Sequence, residues 1–204
     1  MATSNPSREA ILARIREGLR TPAPPLAERP AGGPFFAPVE NPLERFQREA
    51  KANLMECQLT ADATASAQAL AQVLQSLPEG DVFVQDDPAL RRMIAASGTS
   101  RQLRWSSQGG PLESSQATVT LADALIAQTG SVFVSASCGG RGASVVAPCH
   151  IVYATTKQLV PDLVTALRNA TAQGRLDKNS FACIISGSSR TADIEKILVQ
   201  GAHG

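Results

Sequence analysis

Hydrophobic and polar positions along the 204-residue chain follow two periods. Apolar residues three and four apart mark amphipathic helices, and short unbroken apolar runs mark strands buried on both faces. Near the start, Ile11, Leu12, Ile15 and Leu19 share one side of a helix over about 8–19 that Ser7 can cap. Arg8, Arg14, Arg16 and Arg20 hold its solvated side. Residues 21–42 carry seven of the thirteen prolines, which excludes regular helix and central strand and reads as a linker of polyproline character. A second helix follows over about 43–55, with Leu43, Phe46, Ala50 and Leu54 on its apolar side, and a short strand is expected at 57–59. Asp62 caps a helix bearing Leu70, Val73, Leu74 and Leu77, which stops at Pro78 and Gly80. A strand at 82–84 leads to Asp87-Pro88, a cap followed by proline at the first helical position. That helix carries Leu90, Met93 and Ile94 and ends at Gly98. A weak strand at 103–105 precedes a polar loop at 106–116.

In the second half, a strand at 117–120 is followed by a short helix over 121–128, with Leu121, Leu125 and Ile126 as its apolar side; Thr129-Gly130 breaks it. Strands are expected at 131–135 and 149–155, separated by a glycine-rich turn at 137–142 centred on Arg141. Pro161 fits the first turn of a helix bearing Leu163, Val164 and Leu167, which runs to Gly174. The chain closes with an apolar run at 181–185, six residues from Ser186 to Thr191 without a large apolar side chain, and then Ile194, Ile197, Leu198 and Gly201 at helical spacing. Strands alternating with helices predict an α/β domain with a largely parallel sheet. Ligands of such sheets sit beyond the carboxyl ends of the strands, so the loops after Ser135, Thr155 and Ile185 are the candidate ligand loops.

Composition narrows the classes. A hydrophobic content of 43% with mean hydropathy −0.05 describes an ordinary soluble globule. A net charge of +1 with both signs interspersed leaves no electrostatic footprint for nucleic acid or an anionic membrane. No apolar run has the length of a membrane span, and the first twenty residues place charges among their apolar positions, unlike a signal peptide, so the expected location is the cytoplasm. Cys57, Cys138, Cys149 and Cys183 are widely spaced with no Cys-x-x-Cys, unlike the ligand runs of zinc ribbons or ferredoxins. Buried small hydrophobes are the expected role of at least three of the four, and no metal site is expected.

The closing strand, polar turn and helix admit two readings. One is a plain capped turn. The other is an anion site, because a helix N-terminus presents unpaired N–H groups and a positive dipole end, and Arg190 would add a planar charged fork. Asp193 and Glu195 in the first turn would stabilise the helix and repel an anion. A Walker phosphate loop is absent.

Three stretches together narrow the field: ADALIAQTGSVFV (122–134), RGASVVAPCHI (141–151) and ISGSSRTADIEKILVQGAHG (185–204). They resemble the LUD-domain family, in its lactate-utilisation protein C branch, over most of residues 117–204, while the first 116 residues match only loosely. The resemblance implies a fold similar to the NagB/RpiA/CoA-transferase class, an α/β sandwich with a mostly parallel sheet. It would occupy 43–204, after an N-terminal helical arm at 1–20 and the linker at 21–42. It also implies a place in a three-component system that oxidises L-lactate to pyruvate, with iron–sulfur clusters on partner subunits and no cofactor in this chain. Two departures stand out. Ser188 replaces the usual proline of the family, and the sequence stops at Gly204 where relatives continue with a proline and an apolar strand, which would leave a sheet edge exposed or for a partner.

The candidate ligand-binding residues are Thr129, Gly130, Ser131, Arg141, Gly187, Ser188, Ser189, Arg190, Thr191 and Asp193. His150 is the candidate catalytic residue. It adjoins Cys149, and because strand neighbours point to opposite faces, one of the two belongs to the core. Arg141 is equally a solvated loop arginine, Asp193 reads as a partner of Arg190 or a cap of backbone donors ahead of a catalytic acid, and His203 lies at the chain end. Two classes of function follow. In the first, the chain binds a small carboxylate or nucleotide-like ligand within the lactate-oxidising assembly; Arg141 or Arg190 grips the carboxylate and His150 accepts the hydroxyl proton as hydride leaves. In the second, it is an assembly or regulatory subunit with a vestigial pocket, whose arm and sheet edge contact partners or a second copy. Sugar-phosphate or acyl transfer rests on fold analogy alone.

Overall fold

Three aspartates set the register of the domain's helices. The Asp62 side chain accepts from the amide of Ala65 and starts α3 (Ala63–Ser76); Asp87 accepts from Ala89 and starts α4 (Pro88–Ser97); Asp162 accepts from Thr165 and starts α5 (Leu163–Ala172). Each satisfies one of the orphan donors of a first helical turn. The computed structural model of the chain describes residues 6–20, 22, 37–188, 190–192 and 198–200. They fall into two compact units, 1–37 and 38–204. The first holds α1 (Pro6–Gly18), which has no buried residue; its Ile11, Ile15 and Leu19 are exposed.

The second unit is built on two four-stranded sheets. The first has the order β2-β1-β3-β6, from β1 (Asp81–Val84), β2 (Leu103–Trp105), β3 (Ser115–Leu121) and β6 (Cys149–Tyr153), and every pairing in it is parallel. The second has the order β7-β4-β5-β8, from β4 (Ala124–Ile126), β5 (Ser131–Ser135), β7 (Leu159–Val160) and β8 (Ala182–Ile185). There β4 pairs parallel with β7, and β5 pairs antiparallel with both β4 and β8. Parallel pairings therefore predominate, as expected for the fold class.

Alternation along the strands decides what each face buries. Val82, Val84, Ala117 and Val119 face α3 and α4 and meet Leu70, Leu74, Leu90 and Ile94. Ala124, Ile126 and Phe133 face α5 and meet Ala166 and Ala170. The opposite side of the second sheet packs Val132, Val134, Cys183 and Ile185 against Val152 of β6, which makes the sandwich. Phe46 and Ala50 of α2 (Pro42–Ala52) close the end of the second sheet over Ala127, Leu125 and Leu159.

Five local expectations are corrected. Residues 121–128 form the end of β3 and then β4, not a helix: the spacing of Leu121, Leu125 and Ile126 imitates a helical stripe, but pairing with β5 and β7 decides it. Residues 57–59 are irregular and exposed rather than a strand. Leu54 is exposed with φ of 59° just past α2, outside the apolar side assigned to it. On α5, Val164 and Leu167 are exposed and the alanines carry the buried stripe, because small residues let the helix approach the sheet closely. Finally, Leu198 lies in β10 (Leu198–Gln200), antiparallel to β9 (Arg190–Ala192), where a helix was expected; one turn of apolar spacing cannot separate the two states. Ile194 and Ile197 lie outside the described residues.

Candidate functional site

The chain crosses from the first sheet to the second twice, side by side. The first crossing is Ala122–Asp123 between β3 and β4, and the second runs over 154–158 between β6 and β7. The amide of Gln158 donates to the carbonyl of Ala122 and ties them together. Both crossings lie beyond the carboxyl ends of parallel strands, where an α/β sheet opens to ligands. Between them and α5 is a cleft of about 230 Å³, floored by Ala124, Phe133, Val160, Ala166 and Ala170. Its polar wall is Asp123, Lys157, Asn169, Gln173 and Arg175.

Asp123 is the fixed point of that wall. Its side chain is only 4% exposed, and a buried carboxylate requires a partner. Arg175 Nη1 supplies it at 2.6 Å. The same Nη1 donates to Ser137 Oγ at 3.2 Å, and Nε donates to Gln173 Oε1 at 3.1 Å. Cys138 Sγ lies 3.5 Å from the other Asp123 oxygen. Burial, and then the negative charge of Asp123, push the Cys138 thiol up to about 11, so it stays protonated and donates. Gln85 braces the assembly from the first sheet: it accepts from the Leu121 amide at 2.8 Å and donates to the Ser137 carbonyl at 3.0 Å. The loops after Ser135 and Thr155, singled out from the strand pattern, thus meet here.

The residues named from the sequence lie elsewhere. Thr129, Gly130 and Ser131 come together with the start of the 186–188 turn: Ser131 Oγ lies 2.7 Å from Thr129 Oγ1 and 2.6 Å from Ser186 Oγ. Asn53, at the end of α2, donates to the Thr129 carbonyl at 2.9 Å. A Cβ on Gly130 would lie 2.2 Å from the Ala50 nitrogen, and one on Gly187 2.1 Å from the Asn53 oxygen. Both glycines therefore admit the backbone of α2, which fills the space above them. Ser188 follows Gly187 in the same turn. Ser189 and Asp193 lie outside the described residues, and Arg190 and Thr191 belong to β9. Arg141 is on the exposed loop at the other end of β8, where Nε donates to Ser180 Oγ at 3.2 Å.

His150 lies on the face of β6 opposite Cys149, as alternation requires. Cys149 packs toward α3 and α4, whereas His150 Nε2 shares a hydrogen bond of 2.9 Å with the fully buried Thr120. Burial lowers the ring's pKa to about 4, which keeps it neutral at pH 7. Beside it, the fully buried Thr118 donates to the Ala143 carbonyl and pins the glycine-rich loop over this face.

The sequence reading missed Asp123, Lys157, Asn169, Gln173 and Arg175. One signal was present: Asp123 is a lone carboxylate inside the apolar run 121–127, and such a group demands a cation from elsewhere in the fold.

With this geometry in place, the relatives fall into line. The LUD domain family model matches residues 43–204. A lactate utilization protein C from Macrococcus caseolyticus is 27% identical over 143 residues, 66% of this chain and 62% of that protein. One from Halalkalibacterium halodurans is 29% identical over 147 residues, 67% of this chain and 64% of that protein. The chain thus spans under two thirds of the length of these curated relatives. A DUF162 family protein from Deinococcus radiodurans superposes with a TM-score of 0.60 at 18% identity, covering 74% of this chain and 90% of that one, which shows a shared fold. The match over 43–204 takes in both sheets, the cleft and the α2 junction, and the chain belongs to the LUD domain family.

Proposed function

We propose that the chain is a component of a lactate-utilisation system, that it binds a small anionic ligand, and that iron–sulfur redox chemistry belongs to partner subunits. The observation that carries this reading is its alignment with lactate utilization protein C relatives across two thirds of its length. The cysteines support the division of labour. Against the expectation that at least three are buried, Cys138 alone is buried, beside Asp123; Cys57 is exposed, and Cys149, facing the first sheet's helices, and Cys183, on β8, are half-buried. Among the described residues no three His, Cys, Asp or Glu side chains converge on one point, so these donors do not fit a cluster. Among the described residues, too, no helix is long and apolar enough to cross a membrane. The test is reconstitution of lactate oxidation from the purified components with and without this chain. Lactate-dependent reduction of an electron acceptor should require it; an unchanged rate in its absence would overturn the reading.

A second reading, an assembly subunit without a reaction of its own, is favoured by the edge of the second sheet. Among the described residues β8 ends the strand order, with Ala182 and Ile184 exposed, so a strand of a partner subunit could extend the sheet there. Replacing Ile184 with Lys should then release the chain from its partners while leaving it folded. Retained co-purification would count against this reading.

A further inference from the structure

We propose that the cleft between the two crossings binds a small monocarboxylate bearing a second oxygen at C2, a 2-hydroxy or 2-oxo acid. Lys157 and Arg175 hold the carboxylate and Asn169 holds the second oxygen. The inference rests on the functional reading above for its choice of probe; the rest comes from the lining. The volume of about 230 Å³ lies below the roughly 300 Å³ at which pockets for drug-sized ligands begin, so the ligand is a few-carbon metabolite. Two cations, Lys157 and Arg175, stand against one carboxylate, Asp123, and the excess charge calls for a monoanion.

Several donors in the lining are unspent. Lys157 makes no ion pair with another described residue, and the Asn169 amide group makes no hydrogen bond with one. Arg175 uses Nε and Nη1 on Gln173, Ser137 and Asp123, which leaves Nη2 without a partner among the described residues. A guanidinium locked by three contacts and still offering a donor is pre-organised for a carboxylate, since little rotamer freedom remains to be lost. The apolar floor of Phe133, Val160, Ala166 and Ala170 accepts the short carbon chain. Asp123 acts through Arg175, as a positioning residue.

The test titrates the isotope-labelled full chain with sodium L-lactate and sodium pyruvate, followed by NMR, with sodium acetate and lactamide as comparisons. Saturable shifts are expected at the amides of 122–124, 157–158 and 169–175 and at the Asn169 side chain. Lactamide, which lacks the charge, should not bind. Lys157→Met should weaken lactate binding by about tenfold or more. Asn169→Leu should weaken lactate more than acetate. Both side chains are exposed, so the variants should keep the parent melting temperature. Shifts confined to 129–131 and 186–188, no saturable binding, or an unchanged affinity in Lys157→Met would overturn the site. The two readings fail separately. If reconstituted lactate oxidation needs the chain yet is indifferent to Lys157→Met, and lactate binding is too, the cleft assignment falls and the functional reading stands. If lactate binds at the cleft while oxidation proceeds without the chain, the reverse holds.

Discussion

A methyl group at Gly130 would lie 2.2 Å from the Ala50 nitrogen and 2.4 Å from the Glu49 carbonyl carbon, in a backbone conformation with φ of 62°. The left-handed conformation costs an L-residue roughly 1–2 kcal/mol, and displacing packed backbone costs roughly 1–3 kcal/mol more. Gly130→Ala should therefore lose about 3 kcal/mol and lower the melting temperature by roughly 6–12 °C for a domain of this size. Gly140→Ala is the matched control: its φ is 98° but nothing lies within 4 Å of the added carbon, so it should lose only the strain. Equal losses in the two would show that α2 does not press on Gly130. His150 gives the residue-scale prediction in pH. Burial lowers its pKa from 6.5 to about 4 in the folded chain. Between those values the unfolded chain holds a proton that the folded one does not, so stability rises with pH across that window. His150 contributes fully above pH 6.5 and loses about 3 kcal/mol as pH falls toward 4. The urea midpoint should drop between pH 7 and pH 4.5, and His150→Gln should flatten that drop. An equal drop in the variant would assign the effect to other groups.

At the scale of elements, legibility followed the range of the forces involved. Asp62, Asp87-Pro88 and Gly98 act within one turn of their own helices, and α3 and α4 form where those residues put them. Asp87→Ala should accordingly cost about 1 kcal/mol. That would appear as a melting temperature roughly 2–4 °C lower, and no change would mean that Pro88 alone suffices to start α4. Elements fixed by partners distant in sequence were not legible. Residues 124–126 became β4 because β5 and β7 flank them, and Ala166 and Ala170, not Val164 and Leu167, face the sheet because the approach of α5 sets which side is buried. The site divides the same way. The fold brings Thr129-Gly130-Ser131 and Ser186-Gly187 together against α2, a meeting that no local pattern in either stretch records. Arg175, 52 positions from Asp123, could not be paired with it by any local pattern.

Among the described residues, the buried clusters draw on positions from Val39 to Ile185, all of them in the second unit. The capped helices, both sheets and the cleft lie in the same span. A hydrophobic core of that extent is ample for a domain of about 165 residues, in a size range where folding alone buries most of the chain's surface. Residues 38–204 expressed without the first unit should therefore unfold in one cooperative transition, with a melting temperature within about 2 °C of the full chain, because every described residue of the buried clusters is retained. A broad transition or a much lower melting temperature would show that the first unit contributes to the core. The same truncated chain then assigns the first unit's role. α1 presents Ile11, Ile15 and Leu19 to solvent, and a helix with such a stripe gains stability only by covering it. If the truncated chain folds and retains lactate binding but no longer associates with its partners or with itself, the contact lies within residues 1–37, and replacing Ile11 and Ile15 of the full chain with Lys tests the stripe of α1. If association survives, the contact lies within residues 38–204, and the exposed edge of β8 becomes the surface to mutate next.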